Sequence, residues 1–257
     1  MKLIDTIKQH NFLFSQLVKR DFQKKYKHTI LGVIWSLLNP LLNLAVMALI
    51  FTQFFGRTTS HYVIYLFCGN LVFSFYKEST TNGMSSLVGN VSIFSKINVP
   101  KSLFLLSKNI ASLINFSLTL IILFIFVAID GLAFSWKFIL LLYPILFLTI
   151  FNIGVGLILS ALYVFFRDLS HLYGIFTQLV MYISAIFYTI DSYSEKMQTV
   201  FYCNPVYIYI TYFREIIIDN KVPSLLMHIL CFAYAAVVLL IGIVIYKKNN
   251  YKFLYYI

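Results

Sequence analysis

Charge is scarce in this chain. Only 11% of its 257 residues are Asp, Glu, Lys or Arg, whereas 60% are hydrophobic. A soluble domain has about 25% charged residues, so a chain this poor in charge could not cover a water-facing surface. The mean hydropathy of +0.84 agrees with that. Composition therefore excludes a disordered chain, a coiled coil and an ordinary cytosolic enzyme, and it predicts a polytopic membrane protein.

Cysteine and the usual catalytic motifs are also lacking. Three cysteines are too few for a disulfide framework. The sequence has no G-x-x-x-x-G-K-[ST] phosphate loop, no zinc motif and no cluster of acid and base residues. We therefore expect no catalytic residues, no metal and no cofactor in this chain. No cleavable signal is visible before the first apolar run, which starts near residue 30.

Long apolar runs dominate the sequence instead. A transmembrane helix needs about 20 mostly apolar residues. Because the runs are continuous and do not alternate, they predict helices rather than barrel strands. The predicted spans cover residues of about 30–55, 62–90, 103–128, 138–166, 171–190 and 225–246. We predict an all-α polytopic membrane protein in which residues 1–28 precede a single six-span domain, 29–257.

The basic residues are distributed unevenly between the predicted connections. With six spans both termini lie on one side, which carries 14 Lys and Arg against three acidic residues. The other side carries five basic and five acidic residues. The positive-inside rule therefore places both termini in the cytoplasm. The excess of basic residues indicates topology and contact with anionic lipid, and no nucleic-acid partner is expected.

Residues 5–28 form an amphipathic basic segment. Apolar residues such as Phe14, Leu17 and Val18 recur at helical spacing, and basic residues fill the other positions. The pattern predicts an interface helix in the headgroup layer. The helix either anchors the topology or also frames a cytoplasmic partner or an anionic substrate headgroup. The residues considered for the second role are Lys19, Arg20, Lys24, Lys25, Tyr26 and Lys27.

Two connections carry further signals. Pro100 ends any helix at or before Val99, so residues 93–101 predict a short helix and a break. That segment is either a loop with topology-setting lysines or a docking helix for a cytosolic partner. Lys77 and Glu78 begin a polar stretch at the end of the second span, and within a membrane they must face protein or water. They are either pore-facing charges or structural groups with partners elsewhere in the bundle.

Residues 191–224 are amphipathic, and Asn204-Pro205 divides them. Neither half is long enough to span, so we predict two short external helices, at about 192–222, that dip into the outer leaflet. Tyr202, Tyr207, Tyr209 and Tyr212 crowd the middle of this segment. They fit either an interfacial aromatic belt or a set of contacts to sugar faces.

The order of several short motifs resembles one known family. The motifs are Leu31-Gly32-x-x-Trp35-x-x-Leu38-x-Pro40, Lys96-x-x-x-Pro100-Lys101, Arg167-Asp168-Leu169-x-His171, Ser184-x-Ile186-Phe187-Tyr188 and Asn204-Pro205 followed by Phe213-Arg214. Together they resemble the transmembrane subunit of ABC exporters of cell-surface polysaccharides, such as O-antigen, capsule and teichoic acid. The resemblance covers nearly the whole chain.

This resemblance implies a homodimer in the bacterial inner membrane that binds two cytoplasmic ATPase subunits, where ATP and Mg would be held. It implies export of a polysaccharide linked through pyrophosphate to a polyprenyl lipid, with O-antigen as the first candidate. The matching coupling helix comprises Ser95, Lys96, Ile97, Asn98, Val99, Pro100 and Lys101. The residues expected along the glycan channel are Trp35, Tyr182, Phe187, Tyr188, Tyr202, Tyr207, Tyr209 and Tyr212.

Functions of a different class remain as alternatives at this point. The chain could be a secondary transporter or a lipid-modifying membrane enzyme, or it could export drugs or small lipids within the same family. Transport that is independent of ATP hydrolysis would favour the first of these.

Overall fold

The computed structural model of the protein describes residues 10–24, 32–55, 61–97, 99–191 and 193–256. Every regular element within these ranges is helical. The α-helices are α1 (Asn11–Lys24), α2 (Trp35–Phe55), α3 (Tyr62–Met84), α4 (Val91–Phe94), α5 (Ser102–Ile129), α6 (Leu142–Phe165), α7 (Leu169–Ile183), α8 (Glu195–Phe201), α9 (Pro205–Ile217), α10 (Leu225–Asn249) and α11 (Phe253–Tyr256). Short 3-10 helices precede α2, α4 and α6, at Gly32–Ile34, Val88–Asn90 and Trp136–Leu141.

The predicted all-α polytopic membrane protein is confirmed. Four segments of the described chain are long and apolar enough to cross a bilayer: Trp35–Thr52, Ser102–Ile129, Trp136–Phe165 and Leu225–Asn249. The second and fifth predicted spans are helices as well. With 23 residues, α3 has the length to span, but its second half is polar. With 15 residues, α7 ends at Ile183, whereas the predicted span ran to residue 190.

Glycine allows α6 to pack closely against two neighbouring helices. A Cβ atom added at Gly154 would lie 2.7 Å from the backbone nitrogen of Leu239 in α10. A Cβ atom added at Gly83 of α3 would lie 3.1 Å from the Cα of Gly156. Small residues permit this approach of helix backbones within a membrane, where van der Waals packing drives helix association. The centre of the bundle is therefore α6, with α3 and α10 packed on it.

The chain turns sharply after α7 because Ala185 adopts a positive φ of 48°. A buried arginine of α9 holds this turn. The Arg214 guanidinium donates hydrogen bonds to the carbonyls of Ala185 at 3.0 Å and Ile186 at 3.1 Å. It also donates to the Tyr65 carbonyl at 3.3 Å and lies 3.4 Å from the centre of the Tyr65 ring. Carbonyl dipoles and a ring face thus offset the desolvation of the charge, and α9 is fastened to both α3 and the end of α7.

Candidate functional site

The N-terminal helix lies against the start of α5. Its Leu17 is buried in an apolar cluster with Phe94, Val99 and Phe104. The apolar face of the predicted amphipathic helix therefore packs against protein. Of the basic residues considered there, Lys19 is exposed and Lys24 ends α1, while Lys25, Tyr26 and Lys27 lie outside the described residues.

Arg20 connects this helix to the rest of the bundle. Its guanidinium donates to Asp21 Oδ1 at 2.7 Å and to Asn90 Oδ1 at 2.8 Å. The other carboxylate oxygen of Asp21 accepts a hydrogen bond from Ser107 Oγ at 2.9 Å. Asp21 thus uses both oxygens, and its charge is balanced within the protomer by Arg20. These bonds fix where α1 lies relative to α5.

The predicted coupling segment has an exposed part and a buried part. Ser95, Lys96 and Ile97 follow α4 and are exposed, and Ile97 keeps 52% of its surface. Val99 is only 8% exposed because it packs in the cluster with Leu17. Asn98 lies outside the described residues, and Pro100 is half-buried. A partner that docks here would therefore meet the exposed residues, whereas Val99 anchors the segment to the bundle.

Lys101 holds the far end of this segment. Its ammonium group donates to the carbonyl of Asn250 at 2.8 Å, and it lies 5.8 Å from the ring centre of Phe94 and 5.6 Å from that of Phe253. Partial burial lowers the pKa of Lys101. The carbonyl and the two rings favour the charged form. The segment is thereby tied to the end of α10, which makes Lys101 a structural contact of the segment.

The aromatic residues predicted along the channel separate into exposed and enclosed groups. Tyr182 is 55% exposed and Trp35 is 38% exposed. Tyr188 and Tyr202 are half-buried. The exposed fraction is at most 7% for the other four, Phe187, Tyr207, Tyr209 and Tyr212. Only the first four present a substantial surface to the outside of the protomer.

Two of the enclosed tyrosines belong to the core of the protomer, which gives them a structural role there. Tyr209 and Tyr212 are 0% exposed. The Tyr209 hydroxyl donates to the Cys231 carbonyl at 2.9 Å, and the Tyr212 hydroxyl lies 2.8 Å from Nε2 of His228. Their hydroxyls are satisfied by α10, and their rings fill the space between α9 and its neighbours. The crowding of tyrosine in this segment therefore reflects packing.

Sequence reasoning missed a large polar cleft between α1, α3 and α5. Its volume is about 1460 Å³, above the 300–1,000 Å³ that is usual for a small-molecule pocket. The charged residues that line it are Lys19, Arg20, Asp21, Lys77, Glu78 and Lys108. Among the described residues that line it, cations outnumber carboxylates by four to two, which is an excess of positive charge.

A smaller cavity of about 220 Å³ continues from this cleft between α2, α3 and α5. Ser74, Glu78 and Asn115 line both spaces. We call its remaining polar residues the amide lane; they are Ser36, Asn39, Asn43, Asn70, Ser112 and Thr119. None of the described residues that line the lane is a cation, so the lane differs in chemistry from the cleft that it joins.

The periodicity of polar residues within single spans is the signal that could have found both spaces. On α3, the polar residues Asn70, Ser74, Lys77 and Thr81 recur at intervals of three and four. That spacing places them on one face of a helix. Polar residues within a span face protein or water and not lipid. The regular spacing of these residues therefore predicts a polar space beside α3.

The two charges of α3 have different surroundings. Glu78 Oε1 accepts a hydrogen bond from Asn115 Nδ2 of α5 at 2.8 Å. The Lys77 ammonium is exposed and has no hydrogen bond or ion pair with any residue that the structure describes. Of the two interpretations drawn from sequence, Glu78 fits the structural one, whereas Lys77 faces the cleft.

Comparison with known proteins adds a family match that spans most of the chain. A family model described as ABC-2 type transporter matches residues 13–218. Two Klebsiella pneumoniae proteins named "O-antigen export system permease protein RfbA" are 28% and 27% identical to this chain over 249 residues, covering 94% of it and 95% of each relative. A Myxococcus xanthus protein of the same name is 24% identical over 226 residues, covering 87% of both chains.

Proposed function

This chain belongs to the ABC-2 type transporter family, and we propose that it carries O-antigen, or a closely similar lipid-linked polysaccharide, across the bacterial inner membrane. As a member of this family, the chain is the membrane subunit of a transporter that works with an ABC ATPase subunit, and it is not an enzyme. Family membership therefore excludes two of the alternative functions, a secondary transporter and a lipid-modifying enzyme. The substrate rests on one observation, which is similarity along nearly the full length to three O-antigen export permeases.

The proposed assembly is a homodimer with two ATPase subunits, which hold ATP and Mg. Asn39 and Asn43 are exposed on α2 although they lie within an apolar span. Exposed amides within a span need a polar surface or water beside them. The amide lane provides part of that surface within the protomer, and a second copy related by a two-fold axis covers the rest, since cyclic dimers are the commonest assembly. The exposed rings of Trp35 and Tyr182 and the half-buried rings of Tyr188 and Tyr202 then contact the glycan as it moves.

The distribution of basic residues supports the orientation in which both termini are cytoplasmic. In that orientation α1, the cleft and the exposed residues Ser95, Lys96 and Ile97 lie on the ATPase side. We assign the coupling contact to these three residues. The exposed Lys19 of α1 lies on the same side.

Deletion of the gene in the bacterium that carries it tests the export function. The expected result is loss of surface O-antigen together with accumulation of lipid-linked polysaccharide inside the cell. Expression of the chain from a plasmid should restore the surface polymer. Unchanged surface O-antigen in the deletion strain contradicts the proposal.

Two aspartate substitutions test the coupling contact. Because Ile97 is exposed, Ile97→Asp should leave the protein level unchanged and abolish co-purification of the ATPase. Val222 is also an exposed apolar residue, 51% exposed in the loop after α9, so Val222→Asp is the matched control and should retain the ATPase. Retention of the ATPase by Ile97→Asp, or its equal loss in both variants, would count against the assignment.

A further inference from the structure

Among the residues that the structure describes, the cleft between α1, α3 and α5 is lined by more cations than carboxylates. Asp21 is balanced by Arg20, with which it forms an ion pair at 2.7 Å. The other described carboxylate that lines the cleft is Glu78, and the other described cations are Lys19, Lys77 and Lys108. A concave, partly enclosed surface of one sign concentrates ions of the opposite sign. The excess charge therefore favours an anionic ligand.

Lys77 and Lys108 approach the cleft from two different helices. The Lys108 ammonium donates to Ser85 Oγ at 2.9 Å, which holds a lysine of α5 beside α3. Lys77 lies on α3, about two turns before Ser85. A lysine on each of these two walls, with hydroxyl groups along the α3 wall, suits an anion with several oxygen atoms, because each oxygen can accept a separate charge-assisted hydrogen bond. Phosphate and diphosphate have that form.

The amide lane distinguishes this cleft from a simple contact for phospholipid headgroups. It begins where the cleft ends, since Ser74, Glu78 and Asn115 line both spaces. Asparagine side chains each offer two donors and an acceptor, which matches the hydroxyl groups of a sugar. A ligand that fits both spaces carries a phosphate group at one end and hydroxyl groups beside it.

We propose that the cleft binds the diphosphate of a lipid-linked glycan through Lys77 and Lys108, and that the amide lane receives the sugars attached to it. This inference rests on the proposed function, because it assigns that substrate to a place in the protomer. Lys19 lies on the third wall and adds to the positive field. Asn39 and Asn43 are the residues of the lane that the first sugars meet from α2.

Binding of inorganic pyrophosphate to the purified full-length chain in lipid nanodiscs tests the charge half of the site. The variants are Lys77→Gln and Lys108→Gln, and Lys248→Gln is the matched control because Lys248 is an exposed lysine of α10 that does not line the cleft. Loss of one charge-assisted hydrogen bond at a partly exposed site should weaken binding roughly tenfold. Lys77→Arg should bind within about threefold of the unsubstituted chain, since it keeps the charge. Equal affinity in Lys77→Gln and the unsubstituted chain overturns the proposal.

Competition experiments distinguish the sources of the phosphate. A polyprenyl diphosphate sugar in the nanodisc should displace pyrophosphate, and Asn39→Ala with Asn43→Ala should weaken that displacement while leaving pyrophosphate binding unchanged. Equal displacement by phosphatidylglycerol would make the cleft an ordinary lipid contact and refute the assignment. Failure of the lipid-linked sugar to compete would also refute it.

Export measurements separate this inference from the proposed function. If the unsubstituted chain restores surface O-antigen and Lys77→Gln does so equally well, the site is wrong and the function stands. If the chain exports no polysaccharide but binds pyrophosphate through Lys77 and Lys108, the anion site stands and the function is wrong.

Discussion

The close approach of α6 and α10 leads to a quantitative prediction for Gly154→Ala. The added Cβ would lie 2.8 Å from the Cα of Leu239 and from the carbonyl carbon of Val238. Carbon atoms in contact are normally about 3.5–4.0 Å apart, so α10 would have to move away by roughly 0.7–1.2 Å. The atoms in the way belong to the backbone, and no rotamer change can relieve the contact.

Two opposing effects determine how much Gly154→Ala lowers the free energy of unfolding. Overpacking a well-packed interface costs about 1–3 kcal/mol. Alanine has a better helix propensity than glycine, which returns up to about 1 kcal/mol. The net range is roughly 0–3 kcal/mol, and we expect Gly154→Ala to lower the free energy of unfolding by about 1–2 kcal/mol, in the middle of that range, because the clash is with backbone atoms. Gly242→Ala should behave similarly, because its Cβ would lie 2.6 Å from the Gly154 carbonyl oxygen.

Equilibrium unfolding in mixed detergent micelles, followed by circular dichroism, measures this difference. Gly174→Ala is the matched control, because a Cβ at that position of α7 meets no atom within 4 Å. The control should be as stable as the unsubstituted chain or slightly more stable. If Gly154→Ala and Gly174→Ala have the same stability, the packing of α6 on α10 is not as close as described, and the reasoning fails.

Three further substitutions test other contacts of the described residues. Arg214→Lys should lower the free energy of unfolding by about 2 kcal/mol, because an ammonium group cannot reproduce the fork that binds three carbonyls; full stability in the same unfolding assay would contradict this. Tyr209→Phe removes the hydrogen bond to the Cys231 carbonyl and should cost about 1 kcal/mol, with export per folded molecule unchanged; reduced export at equal protein level would restore a direct role for Tyr209. Tyr182→Ala should slow surface O-antigen export in cells at normal protein level, since the ring is exposed; normal export would remove Tyr182 from the glycan path.

Hydropathy and local patterns in the sequence determined the helical architecture. Scarce charge and continuous apolar runs left helices as the only elements compatible with a membrane, because every backbone polar group must be satisfied within the segment. Strong helix-stop signals in the sequence were also enough to predict two of the breaks between helices. Asn204-Pro205 separates α8 from α9, and Pro100 lies between α4 and α5.

Only the tertiary structure decided which face of each helix meets protein. Lipid tails are as apolar as a protein core, so hydropathy cannot distinguish a buried ring from a lipid-facing one. Tyr209 and Tyr182 are the same residue type in apolar segments, yet the Tyr209 ring is enclosed and the Tyr182 ring is exposed. Val99 and Ile97 differ in the same way within a single short segment.

For the candidate site, too, the sequence determined one part and the tertiary structure decided the other. The sequence alone marks polar residues at helical spacing along α3, but it does not say which helices stand opposite them. Lys77 and Lys108 line one cleft because α5 packs beside α3, and Lys19 lines it because Leu17 seats α1 on the neighbouring apolar cluster. Helical periodicity is set by local backbone geometry, whereas the pairing of helix faces depends on contacts between residues far apart in the chain, and those contacts exist only once the bundle has formed.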